Sequence, residues 1–413
     1  MKDFERMLSG RHARLIPKAL AGSTLRFLKR LQEDGYAEGS LKHYASSSIH
    51  FALWLDGCGL TETDIDHTAV ERFKSHTCRC PGSRRGRLVN AKYASRVRRL
   101  VEFLADVGLT SDASPKVATA AGESLEEYVH WMRQHGGLAE SSIRRNTDVI
   151  ARLLPALGTD ASSYDAALVR DAFIADTNGR SRADSKRIAT ALRGYLRFLV
   201  AQGKCRPGLD HAIPRIPQWR LSSLPRYLPG DQIERIIDSC DLTRVVGVRD
   251  RAILLLLARL GLRAGDVVNL CLNDIDWDEA TIRVVGKGRR EARLPLPQDA
   301  GDAVLSYLET ARPAAAHSQI FLRSMAPYQP LSSSTAVSRI VLRAIERAGV
   351  VNPPSYGANL MRHSAATSML RAGATLEVVG TVLRHRHIDT TAHYAKVDVD
   401  ILRQIAQPWP EAA

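Results

Sequence analysis

The sequence predicts a mainly α-helical protein with one small antiparallel β-sheet in its C-terminal part. Three observations carry that prediction. Apolar residues recur at helical spacing through most of the chain. One β-branched run, Thr281-Ile-Arg-Val-Val285, faces Arg293-Leu-Pro-Leu296 across a Gly-Lys-Gly turn, which is the pattern of a β-hairpin. Small, polar or proline-rich stretches then divide the chain: residues 111–123, and residues 204–230 with Pro207, Pro214, Pro217, Pro225 and Pro229. The expected domains are residues 1–115, 124–210 and 228–413.

A chain of 413 residues is long enough for two or three separate cores. Its 45% hydrophobic and 25% charged residues place it among globular proteins rather than disordered ones. No apolar run approaches the roughly 18 residues of a membrane span. The start, Met1-Lys-Asp-Phe-Glu-Arg6, lacks the apolar core of a signal peptide. Cys58, Cys78, Cys80, Cys205, Cys240 and Cys271 are scattered, without the spacing of a disulfide framework. A reduced, cytoplasmic protein is expected. Its net charge of +14, from 58 Lys and Arg against 44 Asp and Glu, points to a polyanionic partner, nucleic acid first.

In the first domain, helices are expected at Ser23–Leu31, Ser40–Leu55 and Lys92–Leu104, the last stopping near Gly108. Residues 124–210 repeat this pattern. Gly35-Tyr-Ala-Glu-Gly-Ser-Leu41 matches Gly137-Leu-Ala-Glu-Ser-Ser-Ile143, and Leu100–Gly108 resembles Tyr195–Gly203. The two spacings differ, so an intervening loop differs in length. The reading is of two related helical modules in tandem. Both carry one-signed basic faces: Arg84, Arg85, Arg87, Lys92, Arg96, Arg98 and Arg99 in one, Arg144, Arg145, Arg152, Arg180, Arg182, Lys186, Arg187 and Arg193 in the other. A charge run is usually only a solvated face, but recurrence in both modules fits contacts to double-stranded DNA phosphates, which give affinity rather than sequence choice.

In the third domain a helix begins near Asp231, and a buried helix, Val248–Leu260, is ended by Gly261. After the hairpin, which carries Lys287 at its turn, helices are expected at Ser333–Ala348, Arg362–Ala372 and Val399–Ala406.

Four cations and one phenol in this domain can do chemistry as a set. Cleaving a phosphodiester without a metal needs an in-line nucleophile, donors for the non-bridging oxygens, and an acid for the leaving 5′ oxygen. Tyr394 offers a nucleophile able to form a covalent ester. Arg263 and Arg362 offer planar forks to a phosphate, His385 offers a further donor, and Lys287, between two glycines, offers a proton. Singly, each has a blander reading: a helix-end cation, a turn lysine, a packed ring. Gly286-Lys-Gly-Arg lacks the spacing of a P-loop.

The set occurs in a recognisable order. Gly261-Leu-Arg263 follows an apolar helix, Gly286-Lys-Gly288 sits at a hairpin turn, Arg362-His363 lies on a helix, and Leu383-Arg-His385 is followed by Thr390-Thr391 and Tyr394. Over residues 228–405 this resembles the tyrosine recombinase (phage integrase) family, and residues 124–210 look like that family's core-binding domain. The resemblance implies a site-specific recombinase or integrase of a mobile element, working without metal, ATP or other cofactor through a 3′-phosphotyrosine. It assigns Tyr394 as nucleophile, Arg263, Arg362 and His385 as phosphate stabilisers, and Lys287 as general acid. It also implies four protomers on two DNA sites, or assembly with related recombinases, with the terminal helix docking on a neighbour.

Two positions depart from the family pattern. Asn359 stands where a histidine is usual, and it cannot shuttle a proton near neutral pH. Arg384 stands where glycine is common. The first departure keeps open a disabled DNA-binding relative, with a type IB topoisomerase as another alternative. His363, His387 and His393 read as packing or solvated residues, with support of Arg362 a further reading for His363. His76-Thr-Cys78-Arg-Cys80 offers an imidazole and two thiols, with Cys58 as a fourth candidate ligand. Cys-x-Cys is an unusual spacing for structural zinc, so the expectation is that no metal is bound.

Overall fold

The computed structural model describes residues 18–61, 64–65, 67–78, 80, 89, 91–110, 120–217, 225–286, 291–385 and 387–397. The chain gathers into two compact units, residues 113–220 and residues 1–112 with 221–413.

In the unit of residues 1–112, four helices enclose one apolar core: α1 (Lys18–Glu33), α2 (Glu38–Gly57), α3 (His67–Ser75) and α4 (Ala91–Asp106). Leu28, Phe51, Leu55, Phe73, Leu100 and Leu104 are fully buried there. The unit of residues 113–220 holds four more: α5 (Ala120–His135), α6 (Glu140–Leu157), α7 (Ala166–Thr177) and α8 (Arg182–Ala201). Their core is Ile150, Leu153, Leu192, Tyr195 and Phe198. Asp165 and Ser181 cap α7 and α8, accepting from the amides of Leu168 and Asp184.

The segments matched in sequence share one backbone device. Gly35 (φ +85°) and Gly137 (φ +53°) each turn the chain in the left-handed region. Two residues later Ala37 and Ala139 take nearly equal dihedrals (φ −64° for both; ψ 148° and 144°) and start α2 and α6. The ends of α4 and α8 also agree: Leu109 N donates to Leu104 O, and Lys204 N to Leu199 O, both at 2.9 Å.

The proline-rich stretch is only partly a linker. Residues Leu209–Ala212 form a short 3₁₀ turn, and Leu209 and Ile213 are buried in the core beside Cys205. Proline spacing reads this as extended because it does not register two isolated apolar anchors.

Residues 221–413, which share a unit with residues 1–112, are built around α10 (Val245–Leu260), which follows α9 (Gly230–Asp238). Every residue from Ile253 to Leu257 is at most 1% exposed. A helix that is apolar all round must be covered all round, and α10 packs against α9, α12 (Gln298–Thr310), α13 (Ser334–Arg347) and α14 (Ala358–Arg371). The short helix α11 (Ala264–Asn269) leads into a three-stranded antiparallel sheet, β1 (Ile275–Asp276), β2 (Thr281–Val285) and β3 (Glu291–Pro295), in that order. Val284 pairs with Ala292 and Val285 with Glu291, while Ile282 and Val284 face the core. The two-residue strand β1 is too short to leave a periodicity, so the sequence yields only the hairpin. Lys287 and the Val399–Ala406 segment lie outside the described residues. The chain continues through α15 (Leu376–Val382), α16 (Ile388–Ala392) and a 3₁₀ turn at His393–Val397. Helix α14 starts at Ala358, ahead of the expected Arg362, and so takes Asn359 into its first turn. Among the described residues, no helix is long and apolar enough to cross a membrane.

Because Leu256 is fully buried on α10, Leu256→Ala is expected to cost about 2–5 kcal/mol. Leu242→Ala, at a site 55% exposed, is expected to cost less than about 0.5 kcal/mol. Urea denaturation followed by circular dichroism measures both.

Candidate active site

The site is assembled where three chain segments meet. The first is the end of α10. Gly261 turns the chain at φ +57°, and a Cβ there would stand 2.6 Å from Leu383 Cδ2. Conformation and close packing thus both require glycine. The turn delivers Arg263 to the N-cap of α11, where its amide donates to Asp266 Oδ2 at 2.9 Å.

The second segment is α14, which carries Arg362, 6% exposed. Arg362 Nη1 donates to Gly261 O and Nη2 to Leu383 O. Arg263 Nη2 donates to Leu383 O at 3.4 Å and to Arg384 O at 3.2 Å. Both guanidinium groups are therefore held by backbone carbonyls, which fix direction without cancelling charge. Burial, and then the neighbouring Arg263, pulls the Arg362 pKa down to about 10. Burial also lowers that of Arg263, against the pull of Asp266. Asp266 is itself engaged by Arg384 at 2.5 Å, both side chains nearly buried. Arg384 pairs with this carboxylate while the guanidinium groups of Arg263 and Arg362 rest on carbonyls, and the surplus positive charge makes a place for an anion.

The third segment runs from α15 to the 3₁₀ turn. His385 Nδ1 lies 2.8 Å from Thr391 Oγ1. Thr391 is fully buried, and Gly380 leaves it room, since a Cβ there would stand 2.9 Å from Thr391 Oγ1. Burial, then Arg362 and Arg263, depress the His385 pKa to about 4, so the ring is neutral at pH 7. The Thr391 hydroxyl can donate to Nδ1, and in that tautomer the ring proton on Nε2 is a donor for an oxyanion.

Tyr394 is 2% exposed and packs on Ala366, Leu370, Val379 and Leu383. Its ring lies parallel to that of His385, with centroids 6.3 Å apart. Its hydroxyl lies 2.8 Å from His363 Nδ1. Burial raises the phenol's pKa, while Arg362 and Arg263 pull it back. Burial, His393 and Arg362 lower that of His363, leaving a neutral ring within hydrogen-bond distance of the phenol. A phenol kept protonated needs an acceptor to become a nucleophile, and His363 is in hydrogen-bond reach.

Four of the five residues singled out by sequence, Arg263, Arg362, His385 and Tyr394, thus lie around residues 383–385; the fifth, Lys287, is outside the described residues. His363, read from sequence as a packing or solvated residue or a support for Arg362, lies in hydrogen-bond contact with Tyr394. The signal that could have found it is position: the helix that points Arg362 inward sends the next residue toward the chain carrying Tyr394. Asn359 is exposed, three residues before Arg362 and so on the same side of α14. Arg384 sits at φ +54°, in the left-handed region where glycine is favoured. Its Asp266 contact holds it there, and its Nε and Nη1 are buried without a hydrogen-bond partner.

The His385 ring predicts a pH dependence of stability. Its pKa is about 4 folded against an ordinary 6.5, so the unfolded chain binds more protons between these values. Stability is expected to fall as pH drops from about 6.5 toward about 4, and His385→Asn to flatten part of that fall. Denaturation at a series of pH values tests this; an unchanged slope in the variant contradicts it.

Comparison with known proteins bears on the family of the chain. A sequence profile of the phage integrase family matches residues 226–400. The protein y4rA of Sinorhizobium fredii (strain NBRC 101917 / NGR234), provisionally named an integrase/recombinase, is 34% identical over 398 residues, covering 94% of either chain. XerH site-specific recombinase, solved in a post-cleavage complex with palindromic difH substrate, has a similar fold: TM-score 0.56 at 19% identity, over 71% of this chain and 85% of that one. The Tn1549 transposon integrase, solved with transposon right end DNA, gives a TM-score of 0.51 at 14% identity, over 69% of this chain and 99% of that one. The match to y4rA runs nearly end to end, and the chain belongs to the phage integrase family, the tyrosine-type site-specific DNA recombinases.

Proposed function

We propose that this protein cuts and rejoins double-stranded DNA through a covalent bond between Tyr394 and a 3′-phosphate, in the service of a mobile element. The observation that carries the reading is the buried pair Arg263 and Arg362, held by carbonyls beside a phenol that is itself hydrogen-bonded to an imidazole.

The Tyr394 oxygen attacks phosphorus, and its proton passes to His363. The non-bridging oxygens are received by Arg263, Arg362 and His385. The bond from phosphorus to the 5′ oxygen breaks, and Lys287 protonates that oxygen. Rejoining is the reverse, and the ester conserves the bond energy, so ATP is not needed. His363 takes the proton-accepting role that Asn359, an amide, cannot fill. Helical modules at 1–115 and 124–210, related by duplication, grip the duplex through their basic faces. The XerH and Tn1549 proteins, similar in fold, are both solved on DNA. Four protomers on two sites, or an assembly with related recombinases, complete the reaction, with residues 399–406 reaching a neighbour.

The test mixes purified protein with nicked DNA from the ends of its own genetic element and scores denaturation-resistant adducts. Tyr394→Phe is expected to form none while still binding DNA in a steeply salt-dependent way. Arg362→Ala is expected to slow adduct formation about 100- to 1,000-fold. The parent rate falls as pH drops through the His363 pKa, below its ordinary 6.5; His363→Gln is expected to be slow and to lose that limb. Tight binding with no adduct would instead favour the DNA-binding relative that Asn359 suggests. An adduct surviving in Tyr394→Phe would refute the assignment.

A further inference from the structure

The fold of the first helical module gathers four side chains that the recombination chemistry does not use. His50 comes from α2. His76, Cys78 and Cys80 come from the segment just after α3. One ligand atom from each lies within 4.8 Å of the other three. We propose that these residues bind a structural zinc ion.

Several observations converge on a metal. Residues 76, 78 and 80 alternate in sequence just after α3, and in an extended chain such alternation would put three side chains on one side. That accounts for the Cys-x-Cys spacing. His50 closes the group from the neighbouring helix: its Nε2 is 3.2 Å from Cys78 Sγ, and His76 Nε2 is 3.9 Å from Cys80 Sγ. The ligands of a tetrahedral zinc site stand roughly 3.3–3.8 Å apart, given bonds of about 2.0–2.3 Å, so the group needs only a small contraction.

The imidazole orientation fits as well. His76 Nδ1 hydrogen-bonds Phe73 O, which fixes the proton there and turns Nε2 toward the sulfurs. A metal-bound histidine is ordinarily oriented by such a carbonyl. Cys78 is 2% exposed, and the other three residues are half-buried. The rings of Trp54 and Phe73 border His76, and those of Phe73 and Tyr93 border His50, forming an apolar wall. Binding releases two thiol protons and forms two zinc–thiolate bonds. The two thiolates neutralise the ion, which suits a site shielded from water.

Four protein ligands leave no open position, so the site's role is structural rather than chemical. The ion ties α2 to Cys80, just ahead of the basic stretch containing Arg84, Arg85 and Arg87. Cys58, the fourth ligand suggested by sequence, is exposed at the end of α2 and is not part of the group.

The test uses the full chain, loaded with zinc, desalted and analysed for metal by mass spectrometry. One zinc per chain is expected in the parent and in Cys58→Ser, with loss in His50→Ala and Cys78→Ser. Cobalt loading of the parent is expected to give tetrahedral d–d bands with a thiolate charge-transfer band. Should Cys78→Ser fail to fold, Cys80→His keeps four ligands and is expected to retain the metal with a weaker charge-transfer band. Parent protein that keeps no zinc, a folded Cys78→Ser that keeps a full equivalent, or cobalt spectra without the thiolate band would each overturn the proposal.

Discussion

The Arg362 guanidinium is the contact on which the site depends. It donates to Gly261 O at the end of α10 and to Leu383 O ahead of His385, and so fastens three distant segments to one another. The arrangement is costly in isolation, because a buried cation gives up its hydration. Burial and the adjacent Arg263 register that cost in a pKa drawn down to about 10. A carboxylate partner would relieve it but would also fill the place of a phosphate. Carbonyls hold the fork in direction and leave its charge to be satisfied by substrate, which is preorganisation in electrostatic form.

The surrounding fold exists to keep those segments in register. Helix α10 is apolar through Ile253–Leu257 and packed against four helices, so its C-terminal end is a fixed point from which Gly261 launches Arg263. The chain carrying Tyr394 is lighter. It rests on a small separate cluster of Ala366, Leu370, Val379 and Leu383, and Thr391 anchors His385. Fewer buried contacts mean a lower local opening energy, which suits a nucleophile that must advance on a phosphate as it gives its proton to His363.

Much of this was legible in the sequence. The helical class, the hairpin, the C-terminal end of α10 at Gly261 and the grouping of Arg263, Arg362, His385 and Tyr394 all follow from local pattern and order. What was not legible depends on residues far apart in the chain. The role of His363 as the Tyr394 partner is hidden behind readings as a packing or solvated residue or a support for Arg362, because adjacency says nothing about the α14 neighbours. His50 was missed as a companion of Cys78 because it sits 28 residues away on another helix, where spacing rules do not reach. Strand β1 and the anchors Leu209 and Ile213 escaped because they are too short to form a period. Arg384 is a different case: its departure from glycine was visible, but its cost, a left-handed backbone at φ +54° held by Asp266, was not.

The most direct measurement is to identify the residue joined to DNA. The trapped adduct would be digested with nuclease and protease, and the peptide carrying the residual nucleotide sequenced by mass spectrometry. The account predicts the modification on Tyr394, although that side chain is 2% exposed and Tyr356 is 61% exposed. A nucleotide found on Tyr356, or on any residue other than Tyr394, would contradict it.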